Sequence, residues 1–206
     1  MDASVAFHES AAKETGNLAA WLAVATLIPG APTATPESIL AARQAFAQVL
    51  ANSPLANRMK RTPKPRPRTD GPLRVGYVSS WLEKPNYMRP TWALINNHDR
   101  AKVEVHLFSD SAEGAEMIGY EPHPTDVIHT TGTLDNTQLG KLICKTGLDI
   151  LIDINAYSTP ERLGIFTQPV APICLAWQNH FAPSGLPGFH GIVGDEQSVK
   201  PGEDAY

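Results

Sequence analysis

The sequence predicts an α/β fold: a Rossmann-like, mostly parallel sheet preceded by a short helical segment. Three observations carry that prediction. From residue 73 onward, short apolar runs alternate with helix-periodic stretches, the pattern of strand–helix–strand units. The strand runs are continuously apolar rather than alternating, as in parallel sheets covered on both faces. Before residue 57 the apolar positions recur instead at helical spacing.

The helical part comes first. Leu18, Trp21, Leu22 and Ala25 fall on one face of a helix over residues 17–28, and PGAPTATP ends it. The run LAAWLAVATLI is too short to span a bilayer. Asp2, Glu9 and Glu14 precede it against a single Lys13, whereas a secretory signal needs a basic start. It reads as a buried amphipathic helix. Thr35 is placed as an N-cap, with Pro36 at the first helical position and Glu37 in the first turn. Ile39, Ala42, Phe46, Val49 and Leu50 form the apolar stripe of that second helix. A helical pair of roughly 35 residues cannot hold a core alone. It must dock on the following domain or close a helical repeat array of the tetratricopeptide kind.

Residues 57–72, NRMKRTPKPRPRTDGP, read as a basic, proline-rich linker with an extended course at Pro63, Pro65 and Pro67. Arg58, Lys60, Arg61, Lys64, Arg66 and Arg68 lie here, while the rest of the chain is acidic. With no aromatic residue interleaved, the stretch is a solvated joint rather than a nucleic-acid or membrane contact. The domain organisation is therefore 1–56 helical, 57–72 linker and 73–206 α/β lobe.

Strands are placed at Leu73–Ser79, Val103–Ser109, Asp126–His129, Asp149–Ile154, Ile173–Trp177 and Gly191–Gly194. Helices are placed at Arg89–Asn97, Leu134–Thr146 and Glu161–Phe166. In such sheets ligands bind beyond the carboxyl ends of the strands. That rule selects the loops Ser79–Met88, Asn155–Thr159 and Gln178–Gly188.

Composition fits a soluble globular chain: 206 residues, 42% hydrophobic, 18% charged and a net charge of −4. Cys144 and Cys174 both sit in apolar contexts and read as buried free thiols of a reducing, cytoplasmic compartment. The glycine-rich nucleotide fingerprints G-x-G-x-x-G and G-x-x-x-x-G-K-[ST] are absent after the first strand. No G-x-S-x-G elbow is present. His98, His106, His123 and His129 are scattered without zinc spacing, and no metal is expected.

What remains at the strand ends is polar and aromatic. DILIDINAY leads into Asn155 and Tyr157, and APICLAW leads into Gln178, Asn179 and His180. Amides, a phenol, an indole and an imidazole suit a polyhydroxylated ligand, because sugar hydroxyls need directional partners and sugar C–H faces stack on rings. An ordinary surface loop carries the same residue types, and a generic Rossmann-like small-molecule binder explains the strands equally well.

Five runs in order, LRVGYVSS, VEVHLFSD, GLDILIDINAYS, IFTQPVAPICLAWQNHFAPSG and GIVGDEQSVKPGEDAY, resemble the catalytic region of the O-linked N-acetylglucosamine transferase and SPINDLY family, in its bacterial members. The resemblance covers about residues 71–206. It implies the amino-terminal lobe of a GT-B glycosyltransferase and an inverting, metal-independent transfer from a nucleotide sugar such as UDP-GlcNAc to Ser or Thr hydroxyls of a protein. It also implies upstream tetratricopeptide repeats. Phosphate stabilisation and a catalytic lysine belong, in the family, to a carboxy-terminal lobe that this chain does not contain, so the lobe alone is expected to be inactive.

Two departures from the family pattern stand out. The loop after the first strand typically reads S-x-D-F-x-x-H-P; here it is SSWLEKP, with Lys84 or Pro85 where the family has its His. The pattern W-L-G-Y-P-G-T-S-G appears as WQNHFAPSG, Trp177 to Gly185, with His180 in the place of the usual Tyr. His180, itself a departure, is read as the candidate catalytic imidazole with an ordinary hydrogen-bonding role as the alternative, and Ser80, Lys84, Tyr87, Asn155, Tyr157 and Ser184 are expected as sugar- or acceptor-side residues. The departures leave open a degenerate lobe that binds a protein or glycan without transfer. A lobe cut from a two-lobe enzyme exposes its cleft face, so self-association is expected.

Overall fold

The computed structural model describes residues 3–60, 63–65, 71–178, 180, 182–195 and 197. Arg61, Arg66, Arg68 and Pro67 of the joint, Asn179 and the terminal stretch 198–206 lie outside the described residues.

Among the described residues six strands form one sheet, all parallel, in the order β3-β2-β1-β4-β5-β6. They are β1 (Leu73–Ser79), β2 (Val103–Ser109), β3 (Val127–Thr130), β4 (Ile150–Asp153), β5 (Ile173–Ala176) and β6 (Gly191–Ile192). The first two match the sequence reading residue for residue. β3 is shifted one residue along, and β6 is only a two-residue edge.

The chain starts in the middle at β1, runs outward to β3, then returns to the other side of β1 with β4. Right-handed crossovers in opposite directions put helices on opposite faces. On one face α4 (Pro85–Asn96) presents Met88, Trp92 and Ile95 to Val75, Tyr77, Val105, Leu107 and Ile152. On the other, α5 (Asn136–Thr146) presents Leu139 and Ile143 to Val78, Phe108, Leu151 and Cys174. Period-2 burial on both faces explains why these strands read as unbroken apolar runs.

α4 begins at Pro85, not Arg89. Pro85 occupies its first turn, where a missing N–H costs nothing and φ is already set. α5 is bounded as its sequence dictates: Asp135 caps Gln138 N in a reciprocal capping box, and Gly147 ends the helix at φ 67°. The stretch read as a helix at Glu161–Phe166 is a 3₁₀ segment, Pro160–Thr167.

The helical segment holds α1 (Ala3–Thr15), α2 (Leu18–Leu27) and α3 (Pro36–Asn52). α1 has weak apolar periodicity and no sequence signal singled it out; Val5 and Ala12 are its buried residues. Asn17 caps α2 and Thr35 caps α3 in a box with Ser38. α3 faces two ways. Ile39 and Ala42 pack against the small α1–α2 cluster, while Phe46, Ala47 and Leu50 join Tyr157, Leu163, Phe166 and Leu186 in the main core. The segment is thus docked on the lobe.

The joint is tied down at its start. Asn57 N donates to Gly164 O at 2.9 Å, Arg58 N donates to Thr137 Oγ1 at 2.9 Å, and Gln168 Nε2 donates to the carbonyls of Asn57 and Met59 at 2.9 and 3.0 Å. Cys144 and Cys174 are free thiols, and burial pushes the pKa of each upward. Among the described residues no helix is long and apolar enough to cross a membrane.

Candidate functional site

Because all strands run the same way, their carboxyl ends share one rim. The strand order reverses between β1 and β4, and a crevice forms there, outside the carboxyl ends. Ser80, just past β1, donates its backbone N–H to Asn155 Oδ1, just past β4, at 2.8 Å. One hydrogen bond therefore spans the switch point.

Around it the rim divides in two. On the β1–β2–β3 side the centre is Asp110, the residue after β2. It accepts from Ser80 Oγ at 2.5 Å, Thr131 Oγ1 at 2.8 Å, and Arg162 Nε and Nη2 at 2.8 and 2.7 Å. Arg162 also donates to the carbonyls of Leu134 at 2.7 Å and Thr131 at 3.1 Å. Burial pushes the Asp110 carboxyl upward, but its hydrogen bonds from Arg162, Ser80 and Thr131 outweigh that and hold it below the usual carboxylate range.

On the β4–β5 side the centre is Asp153, the last residue of β4. It accepts the backbone N–H groups of Asn155 and Ala156 at 3.2 and 3.0 Å and pairs with His180 Nε2 at 2.8 Å. Facing a carboxylate, Nε2 is the donor of this pair, and Nδ1 is the ring nitrogen turned away from it. His180 Nδ1 and Asn155 Nδ2 are both buried and, among the described residues, have no hydrogen-bond partner. Ala156 and Gln178, one past each of these strand ends by two or three residues, both hold φ near +50°. Left-handed backbone at non-glycine residues costs about 1 kcal/mol each and concentrates where structure over-determines it.

Over the crevice lies the loop after β1. The Trp81 and Tyr87 rings stack with centroids 5.1 Å apart. Trp81 Nε1 donates to Thr159 Oγ1 at 2.6 Å and Tyr87 OH to Ile154 O at 2.8 Å. Both polar tips are engaged internally, so ring area is what the pair offers. Lys84 is exposed and lies 3.6 Å from Glu83 Oε1; Glu83 in turn accepts from Ser111 Oγ.

The expected residues fall into two groups. Ser80, Tyr87, Asn155 and His180 gather about the switch point, with Lys84 at its outer edge. Tyr157 and Ser184 lie deeper, in the seam with α3, where Tyr157 OH donates to Ser184 O at 2.8 Å. The His180 side chain is 0% exposed and packs edge-on against Phe189.

Sequence reasoning missed Trp81, Asp110, Asp153 and Arg162. Asp110 follows β2 and Asp153 ends β4, but both lie outside the three loops that the strand-end rule selects. Nothing local marks Arg162, whose partners are 52 and 31 residues away in sequence. Among the described residues no group of three or more His, Cys, Asp or Glu side chains converges as a metal site.

A doubly wound parallel sheet of this order is a Rossmann-like lobe, the kind of lobe from which GT-B proteins are built. A structure of an O-GlcNAc transferase from Thermobaculum terrenum superposes with a TM-score of 0.77 at 22% identity, covering 97% of this chain and 38% of that one. The profile of Glycosyl transferase family 41 matches residues 38–203, and the chain belongs to that family. A UDP-N-acetylglucosamine–peptide N-acetylglucosaminyltransferase of Caenorhabditis elegans is 27% identical over 128 residues, 60% of this chain and 11% of that protein. The Arabidopsis thaliana protein SEC, named as a probable enzyme of the same activity, is 28% identical over 129 residues, again 60% of this chain, and 13% of its own length. The chain thus spans little more than a tenth of these curated relatives.

Proposed function

We propose that this lobe forms the sugar- and acceptor-side half of an inverting, nucleotide-sugar-dependent protein O-glycosyltransferase. Its donor is UDP-GlcNAc and its acceptors are protein Ser and Thr hydroxyls. In that reaction the acceptor oxygen attacks the anomeric carbon, the bond to the nucleoside diphosphate breaks, and the hydroxyl proton passes to a base. The observation that carries the reading is the switch-point crevice. It holds amide, hydroxyl and stacked aromatic groups but no glycine between Ser79 and Met88 to cradle phosphate. The family resemblance assigns the diphosphate to a second, carboxy-terminal lobe, which fits a β1 loop without glycine, and in this reading transfer needs both lobes.

Within this reading Ser80, Lys84 and Tyr87 border the acceptor, and Asn155 holds the Ser80 backbone from behind the crevice. His180, oriented by Asp153, is the candidate base through Nδ1, the ring nitrogen turned away from the carboxylate. Tyr157 and Ser184 shape the site from behind.

A second reading has one observation in its favour. The β1 loop has no imidazole, and His180 is enclosed in this conformation. A lobe of that kind binds a protein or glycan without transfer. Incubation of the full-length gene product with labelled UDP-GlcNAc and a peptide pool tests the first reading. Labelled peptide that disappears in His180→Gln supports it; neither transfer nor donor hydrolysis with any common nucleotide sugar overturns it. Calorimetry of the 206-residue chain against glycans then decides the second. Affinity of this chain alone for a nucleoside diphosphate would contradict the placement of the phosphate site.

A further inference from the structure

The helical segment reaches the rim through one buried cation. Arg43, midway along α3, is 4% exposed, and among the described residues no carboxylate pairs with it. Its partners are carbonyls. Nε donates to Ala25 O on α2 at 3.3 Å, and Nη1 donates to Ala182 O and Pro183 O, both at 2.8 Å. The guanidinium carbon stands 4.3 Å from the centre of the Tyr157 ring, whose hydroxyl takes the next carbonyl, Ser184 O, at 2.8 Å. Gly185 completes the fit. Its φ is +71°, and a Cβ there would lie 2.7 Å from the Arg43 carbonyl carbon.

We propose that Arg43 and Tyr157 form a pin through which the helical segment sets the conformation of the 182–187 loop, making α3 a wall of the cavity beside the candidate site. The loop begins two residues after His180. Together with Gln44, Gln48 and Ala51 of α3 it borders a cavity of about 740 Å³. Three consecutive loop carbonyls are satisfied by two side chains from distant elements. An apolar side chain at position 43 would fill the space but leave two carbonyls unpaired. Arginine is suited to the task because its planar fork bonds several acceptors at once while its face stacks on a ring. If α3 withdraws, the carbonyls of Ala182 and Pro183 lose their partner, so helix and loop shift as one unit. A force or partner acting on the helical segment is thereby felt next to His180. The pin rests on geometry alone; its bearing on acceptor binding rests on the glycosyltransferase reading.

Amide hydrogen exchange on the 206-residue chain tests the pin, comparing Arg43→Met, which keeps the stem without the donors, with Tyr157→Phe, which removes only the hydroxyl. In Arg43→Met the amides of Leu186, Gly188, Phe189 and His190 should exchange at least about tenfold faster, and those of β1 and β2 should not change. Arg43→Lys should recover part of the protection. Tyr157→Phe should give about a threefold local rise, and decides the matter if Arg43→Met does not fold. Loop amides that exchange at the wild-type rate, or a rise by one factor throughout the chain, would overturn the pin. In the full-length gene product Arg43→Met should raise acceptor KM by a larger factor than it lowers kcat. Absence of transfer by the wild type would sink the glycosyltransferase reading while the exchange result still stands on its own.

Discussion

The two halves of the rim are built from the same parts and finished differently. Each centres on an aspartate at a strand end, Asp110 after β2 and Asp153 at the end of β4. Asp110 meets a guanidinium, two hydroxyls and no vacancy. Asp153 meets two backbone amides and an imidazole whose far nitrogen is, among the described residues, unpaired, beside an asparagine whose amide is also unpaired. Native interiors rarely leave such atoms unsatisfied, because each costs about 1–3 kcal/mol. The first half is a brace. The second tolerates unfinished polar groups and left-handed backbone, which is where a protein places chemistry instead of stability.

The sharpest way to break this contrast is Asp110→Ala. It strands Arg162, whose side chain is 11% exposed, without its counter-ion, and should cost about 3 kcal/mol in urea unfolding. A loss near zero would mean that Asp110 is no brace. The same carboxylate sets an acid limit. Its folded pKa is depressed, so its contribution is fully present above the usual carboxylate value. That contribution fades as pH falls from there through the lower folded value. Stability in that window should fall with pH in the wild type and flatten in Asp110→Asn.

On the other side, Asp153→Asn leaves one acceptor oxygen where the carboxylate uses two, so either the Asn155 amide or the Ala156 amide and His180 lose their partner. It should cost about 1.5 kcal/mol by the same unfolding measurement. A cost as large as that of Asp110→Ala would show both halves to be braces. Trp81→Phe removes the bond to Thr159 while keeping a ring over Tyr87, for a loss of about 1 kcal/mol. The smallest effect is a gain. Gln178→Gly relieves the left-handed strain at the end of β5 and should raise stability by about 0.5 kcal/mol, readable as a small increase in Tm. Destabilisation there would mean that the Gln178 side chain contributes more than its backbone costs.

Legibility in the sequence followed the range of the forces involved. β1 and β2 were read to the residue because continuous apolar runs ended by polar residues suffice to define them. α4 was misread at its start because Pro85 was taken as a loop residue although proline also opens helices. Ser80, Asn155 and His180 were reached through the strand-end rule and a family resemblance. Their mutual arrangement was not, since it depends on strand order. The depth of Tyr157 and Ser184 was likewise invisible: both belong to a seam made by α3, more than a hundred residues earlier.

By itself the sequence determined the alternation of strand and helix, the caps of α3 and α5 and the direction in which every strand end would point. Those follow from local periodicity, turn chemistry and the parallel connectivity that helices between strands enforce. Only the tertiary structure decided which strand ends became neighbours, that Arg162 would close one aspartate and His180 lie against the other, and that a helix from the amino-terminal segment would hold the last loop. Such pairings are settled by which faces can be buried together, a property of the assembled chain that no window of residues contains.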